Sequence, residues 1–267
     1  MIRTLLDIYS TIFARKSLAR FNRFMFLLGA RGLGILNCRT PYLSGEEPFL
    51  KKALEPYDST DFAVLDVGAN QGQFARYVLS ASSSIKVISF EPNPAAATKL
   101  SLRIPEFMDR HRLIPKGASS QPGQATIFDY GESQGSGHAT MYSDVLTSLR
   151  QSEAIETISI ELTTVDLEVE TISEKICLLK IDTEGHEREV LLGSQGLLQH
   201  APPPIILVEF NEMNAVSGTH FYELLRLLGD QYQVHRVLPG GNLLPLENQN
   251  PLYTEIYAYQ NLVFLRR

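Results

Sequence analysis

Apolar residues along this chain gather in short unbroken runs, and between the runs they recur at helical spacing. The clearest case is Val64-Leu65-Asp66-Val67-Gly68-Ala69-Asn70-Gln71-Gly72, where a run over residues 63–67 ends in a glycine-spaced loop. Phe74, Tyr77, Val78 and Ala81 follow at i, i+3, i+4 and i+7, one face of a helix. The rhythm then repeats. Residues 87–90 form a second run closed by Glu91-Pro92, and a helix is expected over 95–102. A third strand over 112–116 leads into Gly117-Ala118-Ser119. A fourth, over 176–181, delivers Asp182-Thr183-Glu184-Gly185-His186-Glu187, and a helix face of Val190, Leu191, Leu197 and Leu198 comes after it. A fifth, over 205–208, ends at Glu209. Alternating strands and helices predict an α/β fold with a mostly parallel sheet, helices on both faces and ligands at the carboxyl ends of the strands.

Two segments break the rhythm. Residues 125–128 are strand-like, and Ile158, Ile160 and Leu162 alternate with Ser159 and Glu161 as in a half-buried strand. The two predict an antiparallel ribbon. The polar, glycine-rich stretch between them makes 131–156 a candidate lid, with His138 a candidate acceptor contact. Near the end, Phe221, Leu224, Leu225 and Leu228 mark a helix, followed by a strand over 232–238 and the turn Pro239-Gly240-Gly241-Asn242. Residues 243–257 read as polar and irregular, and 261–265 as the last strand. This ending predicts a closing antiparallel pair.

The first 35 residues read as two helices. Ile2, Leu5, Leu6, Tyr9, Ile12 and Phe13 make one apolar face, and Phe21, Phe24, Leu27 and Leu28 a second. The expectation is a helical cap packed on the catalytic domain; the alternative is peripheral contact with an anionic membrane. Gly32 and Gly34 break the second helix, and 36–60 is a connector holding a short amphipathic piece over 49–54. The chain thus divides into a helical extension, 1–60, and an α/β domain, 61–267.

Charge sharpens this division. Arg3, Arg15, Lys16, Arg20, Arg23 and Arg31 stand against Asp7, a net of +5 over residues 1–35 that leaves −11 on the rest. An acidic body argues against nucleic acid as the main partner. Cys38 and Cys177 are too few for a disulfide framework or a zinc site. Cys177, in an apolar strand, reads as a buried thiol. No segment has the length of a membrane span, and no secretory cleavage pattern is evident, so a cytoplasmic setting is expected. The sequence does not speak to oligomeric state.

The acid in the first loop selects the ligand. A loop that cradles pyrophosphate turns backbone N–H groups and a helix N-terminus toward negative charge. Asp66 opposes phosphate there and suits a ligand with a positive end, such as S-adenosylmethionine. Gly68 and Gly72 let the chain turn and the ligand approach, with Ala69 and Asn70 beside them. Their spacing departs from G-x-G-x-x-G. Glu91 follows Gly68 by 23 residues, near the interval at which such sheets hold ribose hydroxyls, and Pro92 adjoins it. Gly117 and Ala118 leave room for a flat base. Asp66, Glu91, Asp182 and Glu209 all stand at strand tips and should converge on one cleft.

Asp182 is the expected group near the sulfonium and nucleophile, with Glu184 or His186 as base and Glu209 as a further acceptor contact. Asp182 can instead serve as a helix N-cap. No metal is expected, although Asp182, Glu184, His186 and Glu209 together offer a magnesium- or manganese-type donor set.

These motifs together resemble the FkbM family of S-adenosylmethionine-dependent methyltransferases. The resemblance rests on Val64 to Asn70, Phe90-Glu91-Pro92, Leu179 to Glu187, Val208-Glu209 and Asn261 to Phe264. The K-I-D-x-E-G element is its most specific part. It implies a Rossmann-like class I methyltransferase sheet of seven strands with an antiparallel last strand. It also implies methyl transfer, usually to a hydroxyl oxygen of a sugar or complex natural product, and hence a small-molecule or glycan acceptor. Two rivals remain. A nicotinamide-dependent oxidoreductase needs a phosphate-compatible loop, and no Tyr-x-x-x-Lys is present. A non-catalytic membrane-associated module would be built on residues 1–35.

Overall fold

The computed structural model describes residues 2–130, 139–145, 147, 155–246 and 250–267. Helices α1 (Ile2–Phe13), α2 (Ala19–Gly32), α3 (Pro41–Ser44) and α4 (Glu46–Leu54) precede β1 (Phe62–Val67). Then come α5 (Gln73–Ala81), β2 (Lys86–Phe90), α6 (Pro94–Arg103), β3 (His111–Ile114), β4 (Gly117–Ala118), β5 (Gly123–Tyr130) and β6 (Ile155–Thr163). The second half runs α7 (Val165–Val169), β7 (Lys175–Ile181), α8 (Glu187–Leu192), α9 (Gln195–His200), β8 (Ile205–Phe210), α10 (Glu212–Ser217) and α11 (Phe221–Leu228). It closes with β9 (Tyr232–Leu238), β10 (Asn242–Pro245), α12 (Pro251–Thr254) and β11 (Gln260–Arg266).

The main sheet has the order β10-β9-β11-β8-β7-β1-β2-β3. Its five strands from β8 to β3 are mutually parallel. β1, β2, β7 and β8 are buried on both faces, which is why their sequences are nearly continuous apolar runs. Alternate residues feed two cores. Leu65, Ile88, Leu179 and Val208 pack with Val190, Leu198 and Leu224 of α8, α9 and α11. Val64, Val87, Leu178 and Leu207 pack with Phe74, Val78, Leu100 and Leu50 of α5, α6 and α4. β11 runs antiparallel to both neighbours, the expected closing arrangement.

Several expectations are corrected. The sheet has eight strands, not seven: Gly240 and Gly241 take φ of 73° and 76°, fold the chain back after β9, and let Asn242–Pro245 pair as β10. The stretch read as irregular over 243–257 therefore holds part of a strand and α12. The third strand stops at Ile114, and Gly117–Ala118 leaves the main sheet to pair with β6 in a second sheet of order β4-β6-β5. There the ribbon of β5 and β6 forms as expected, and is longer. The face over 190–198 belongs to two helices, because the chain turns at Gly193, whose added β-carbon would meet the Ser119 carbonyl oxygen at 2.0 Å.

The N-terminal helices do not cap the domain. α1 buries no residue and α2 only Ala30. They pack on each other through the rings of Phe13 and Phe21 and a Tyr9 hydroxyl that donates to Asn22. Among the described residues, only the end of α2 is fastened, where Asn37 Nδ2 donates to the Arg31 carbonyl and Arg236 Nη1 to the Leu33 carbonyl. The connector is more ordered than expected. Phe49, Leu50 and Leu54 of α4 are buried against the sheet. Among the described residues no helix is long and apolar enough to cross a membrane.

Candidate active site

β1, β2 and β7 end side by side, and the loops leaving them are tied together. Gly68 takes φ 83°, and a β-carbon there would lie 1.8 Å from the Asp182 carbonyl oxygen. The close approach this glycine permits is therefore to the neighbouring loop. Gly68 and Ala69 N–H groups both donate to the Phe90 carbonyl, and Asp182 N–H to that of Val67. Asn70 adopts φ 49°, a left-handed geometry that asparagine tolerates. Its N–H donates to Glu91 Oε2 at 2.7 Å, while the Asn93 N–H donates to Oε1 at 2.8 Å. Each Glu91 oxygen keeps lone-pair capacity for a further donor.

The loop after β7 is held from beneath by Glu187. Its Oε1 accepts the Thr183 N–H, the Thr183 hydroxyl and the Gly185 N–H, and its Oε2 accepts Asn214 Nδ2. Glu184, at φ 52°, accepts Asn211 Nδ2, which also donates to Glu209. His186 has both ring nitrogens engaged, Nε2 with Ser119 Oγ at 3.0 Å and Nδ1 with the Tyr142 hydroxyl at 3.3 Å. Burial depresses its pKa, so it stands as a neutral strut.

Two clefts meet over these loops. The first, about 680 Å³, is bordered by Asn70, Glu91, Pro92, Ala118, Asp182 and His186, with Ala139, Thr140 and Met141 across it. The second, about 850 Å³, is bordered by Thr40, Glu46, Tyr77, Lys180, Asp182 and Tyr259. Gly68, Asn70 and Asp182 belong to both.

Charge concentrates where the clefts join. Lys180 Nζ lies 3.0 Å from Asp182 Oδ2, 3.5 Å from Asp66 Oδ1 and 5.0 Å from the centre of the Phe74 ring. Burial works against its charge, but Asp182, Asp66 and Glu46 outweigh burial and hold its pKa above the usual lysine value. Burial raises the Asp66 pKa, with Lys180 opposing. Burial likewise lifts Glu46 to about 7 and Glu91 to about 7. Glu209 is raised by burial and by Asp182 and Glu184. Asp182 and Asp66 thus pair with the ammonium directly, and Glu46 and Glu209 feel its field. Asn70 Oδ1 and both Asp66 oxygens are buried without a hydrogen-bond partner. Among the described residues no cluster of three or more His, Cys, Asp or Glu is placed to hold a metal ion.

Residues 66–234 match the model of the methyltransferase FkbM domain. The chain belongs to the FkbM methyltransferase family. A 2-O-methyltransferase, NoeI, of Sinorhizobium fredii is 27% identical over 176 residues, covering 60% of this chain and 68% of that protein. A hexuronic acid methyltransferase, AglP, of Haloferax volcanii is 31% identical over 164 residues, covering 59% of each. Among solved structures, an O-methyltransferase from Bacillus cereus in complex with SAH aligns over 100% of both chains at 14% identity and a TM-score of 0.46; no residue role is taken from it.

As an FkbM methyltransferase the chain uses S-adenosylmethionine, and the residues present fit that donor. A carboxylate with spare lone pairs stands beside a small-residue pocket, and the excess of acids and the unpartnered Asn70 oxygen adjoin it. Every residue bordering the first cleft lies inside the FkbM match. In the second cleft Thr40, Glu46 and Tyr259 lie outside it.

Of the residues singled out from sequence, Gly68, Ala69, Asn70, Glu91, Pro92, Ala118, Asp182, Glu184 and His186 border one or both clefts. Asp66 lies beneath them, fully buried against Lys180. Gly72 borders neither. A β-carbon there would meet Leu100 Cγ at 2.8 Å, so it serves the packing of α5 on α6. Glu209 sits behind Glu184, joined through Asn211. His138 lies outside the described residues. Of the four strand-tip acids, two reach the clefts directly. Lys180, Glu187, Glu46 and Tyr259 were missed. A lysine inside a buried strand is itself a signal, since it requires carboxylate partners. Glu46 gives no local signal.

Proposed function

We propose that this methyltransferase acts on a hydroxyl oxygen of a sugar or glycan. The observation that carries the reading is the second cleft, walled by hydroxyl, carboxyl and ammonium groups and meeting the donor cleft only at Gly68, Asn70 and Asp182. Such a wall matches an acceptor rich in hydroxyls. The names of the two relatives, a 2-O-methyltransferase and a hexuronic acid methyltransferase, point the same way. They do not fix which sugar, because much of the acceptor wall lies outside the family match.

Glu91 takes the ribose hydroxyls with the lone pairs left by Asn70 and Asn93, and Pro92 and Ala118 flank the base. Asn70 Oδ1 and Asp182 face the positive end of the donor. Bound S-adenosylmethionine supplies a methyl group already activated on a sulfonium. Asp182, oriented by Lys180, aligns the acceptor hydroxyl with that methyl; such alignment supplies up to about 7–11 kcal/mol. Glu46 receives the hydroxyl proton as the oxygen–carbon bond forms and the carbon–sulfur bond breaks. Its pKa of about 7, raised by burial, suits a base near neutral pH. His186 is tied at both ring nitrogens to Ser119 and Tyr142 and Glu184 accepts from Asn211 in the first cleft, whereas Glu46 lines the acceptor cleft itself and is the base we assign. The exposed free Cys38 at the rim accords with a reducing, cytoplasmic setting.

The test is a panel of oligosaccharides and polyketide alcohols incubated with the purified protein and isotopically labelled donor. Label on a sugar oxygen is expected. Label only on nitrogen, carbon or a polyketide hydroxyl would refute the proposal.

A further inference from the structure

The two N-terminal helices leave a large apolar face with nothing packed on it. Leu5 is 60% exposed, Phe24 57% and Leu28 49%, and Leu6, Ile12 and Leu27 are exposed with them. Soluble chains rarely expose so many large apolar side chains in one place. The basic residues of this segment are also exposed, and none forms an ion pair or side-chain hydrogen bond among the described residues. A second copy of the chain is a poor occupant for this face, because it would bring +5 against +5. An anionic surface is a good one. Arginines beside apolar residues bury their stems and keep their charge at the headgroups. The −11 carried by the rest of the chain is repelled by the same surface, so the body is turned outward.

We infer that α1 and α2 form a foot that docks on an anionic lipid bilayer, lying in its interface without spanning it. The foot is wired to the acceptor cleft. Just past α2, the Leu36 N–H donates to the Tyr259 carbonyl, and the chain continues through Arg39 and Thr40 along the cleft wall. Docking therefore sets the acceptor cleft beside the lipid surface.

The full chain should co-sediment with vesicles of phosphatidylcholine containing phosphatidylglycerol and not with phosphatidylcholine alone. Each basic residue near such a surface contributes roughly fivefold in partitioning, so Arg20→Gln with Arg23→Gln should weaken it about thirtyfold. Phe24→Ser with Leu28→Ser should abolish it with every charge intact. Both variants should keep the melting temperature and S-adenosylhomocysteine affinity, since these side chains take no part in either core. Equal binding to both vesicle types, or binding that survives the variants, would overturn the inference. So would a dimer, seen by light scattering, that Phe24→Ser with Leu28→Ser converts to monomer.

Discussion

Lys180 Nζ reaches Asp182 Oδ2 at 3.0 Å although the two residues lie at the end of one strand and just beyond it. The same ammonium sits 3.5 Å from Asp66 Oδ1 on the neighbouring strand. One buried cation thus sets the direction of the carboxylate shared by both clefts and offsets the charge of the one sealed beneath them. The K-I-D element is a charge-ordering device as well as a family signature.

Removing that cation strands Asp66. Breaking one partner of a buried pair costs about 3–5 kcal/mol, because the other charge is left uncompensated. Lys180→Met should therefore lower urea-unfolding stability by an amount of that order and reduce kcat. Adding Asp66→Asn should restore much of the stability while kcat stays low. Restored activity would show that orienting Asp182 is unimportant.

Asp182 itself should behave differently. Asp182→Ala should abolish turnover while calorimetry with S-adenosylhomocysteine finds much of the affinity retained, since Glu91 and the Asn70 loop are untouched. Unchanged turnover would remove Asp182 from the mechanism.

The contrast with Glu91 is sharp. Hydrogen bonds to a charged group contribute about 1.5–3 kcal/mol, so Glu91→Gln should weaken S-adenosylhomocysteine binding roughly 10- to 150-fold. With saturating donor, kcat should change little. A fall in kcat without a change in affinity would place Glu91 at the chemistry instead.

What the sequence made legible follows from range. The β1 loop, Glu91 and Asp182 each stand at the end of an apolar run, so local pattern sufficed to find them. Lys180 was visible as a letter in a motif, but its partner Asp66 comes from a different strand. Glu46 arrives from an extension that precedes the sheet, brought in because Gly45, at φ 78°, packs directly on Leu238; a β-carbon there would meet its carbonyl oxygen at 2.0 Å. No periodicity encodes such a contact. The apolar faces of α1 and α2 were equally legible, but an amphipathic pattern is the same whether protein or lipid covers it.

Stability should carry the mark of His111. Burial pushes its pKa from 6.5 down to about 4, with Ser89 Oγ 3.0 Å from Nε2. The folded chain refuses a proton that the unfolded chain accepts, so its contribution is present above pH 6.5 and is lost as pH falls toward 4. Glu46 and Glu91, raised by burial, act in the opposite sense over the acid side of neutrality. The comparison must therefore be with His111→Gln. Its melting temperature should gain on the wild type by a few degrees between pH 7 and pH 5; a constant difference would mean that His111 takes up its proton as readily in the fold as in the unfolded chain.

The assignment of Glu46 as base makes the most demanding prediction. A carboxylate with an ordinary pKa is fully ionised at neutral pH and gives a flat profile above about pH 5.5. Glu46, raised to about 7 by burial and the neighbouring acids with Lys180 opposing, must lose its proton before it can accept one. With saturating donor, kcat/KM for the acceptor should therefore rise with pH and level off above an inflection near 7. Glu91 is raised to a similar value, but its ionisation governs donor binding and so is read in donor affinity rather than at saturation. Glu46→Gln should lower kcat by about 10²–10⁴-fold and abolish the inflection. Glu46→Asp should restore part of the rate and return a titration, because it keeps the acid and shortens its reach. A Glu46→Gln enzyme that is slower but keeps the wild-type inflection would mean that Glu46 only shapes the cleft and that the proton leaves by another route.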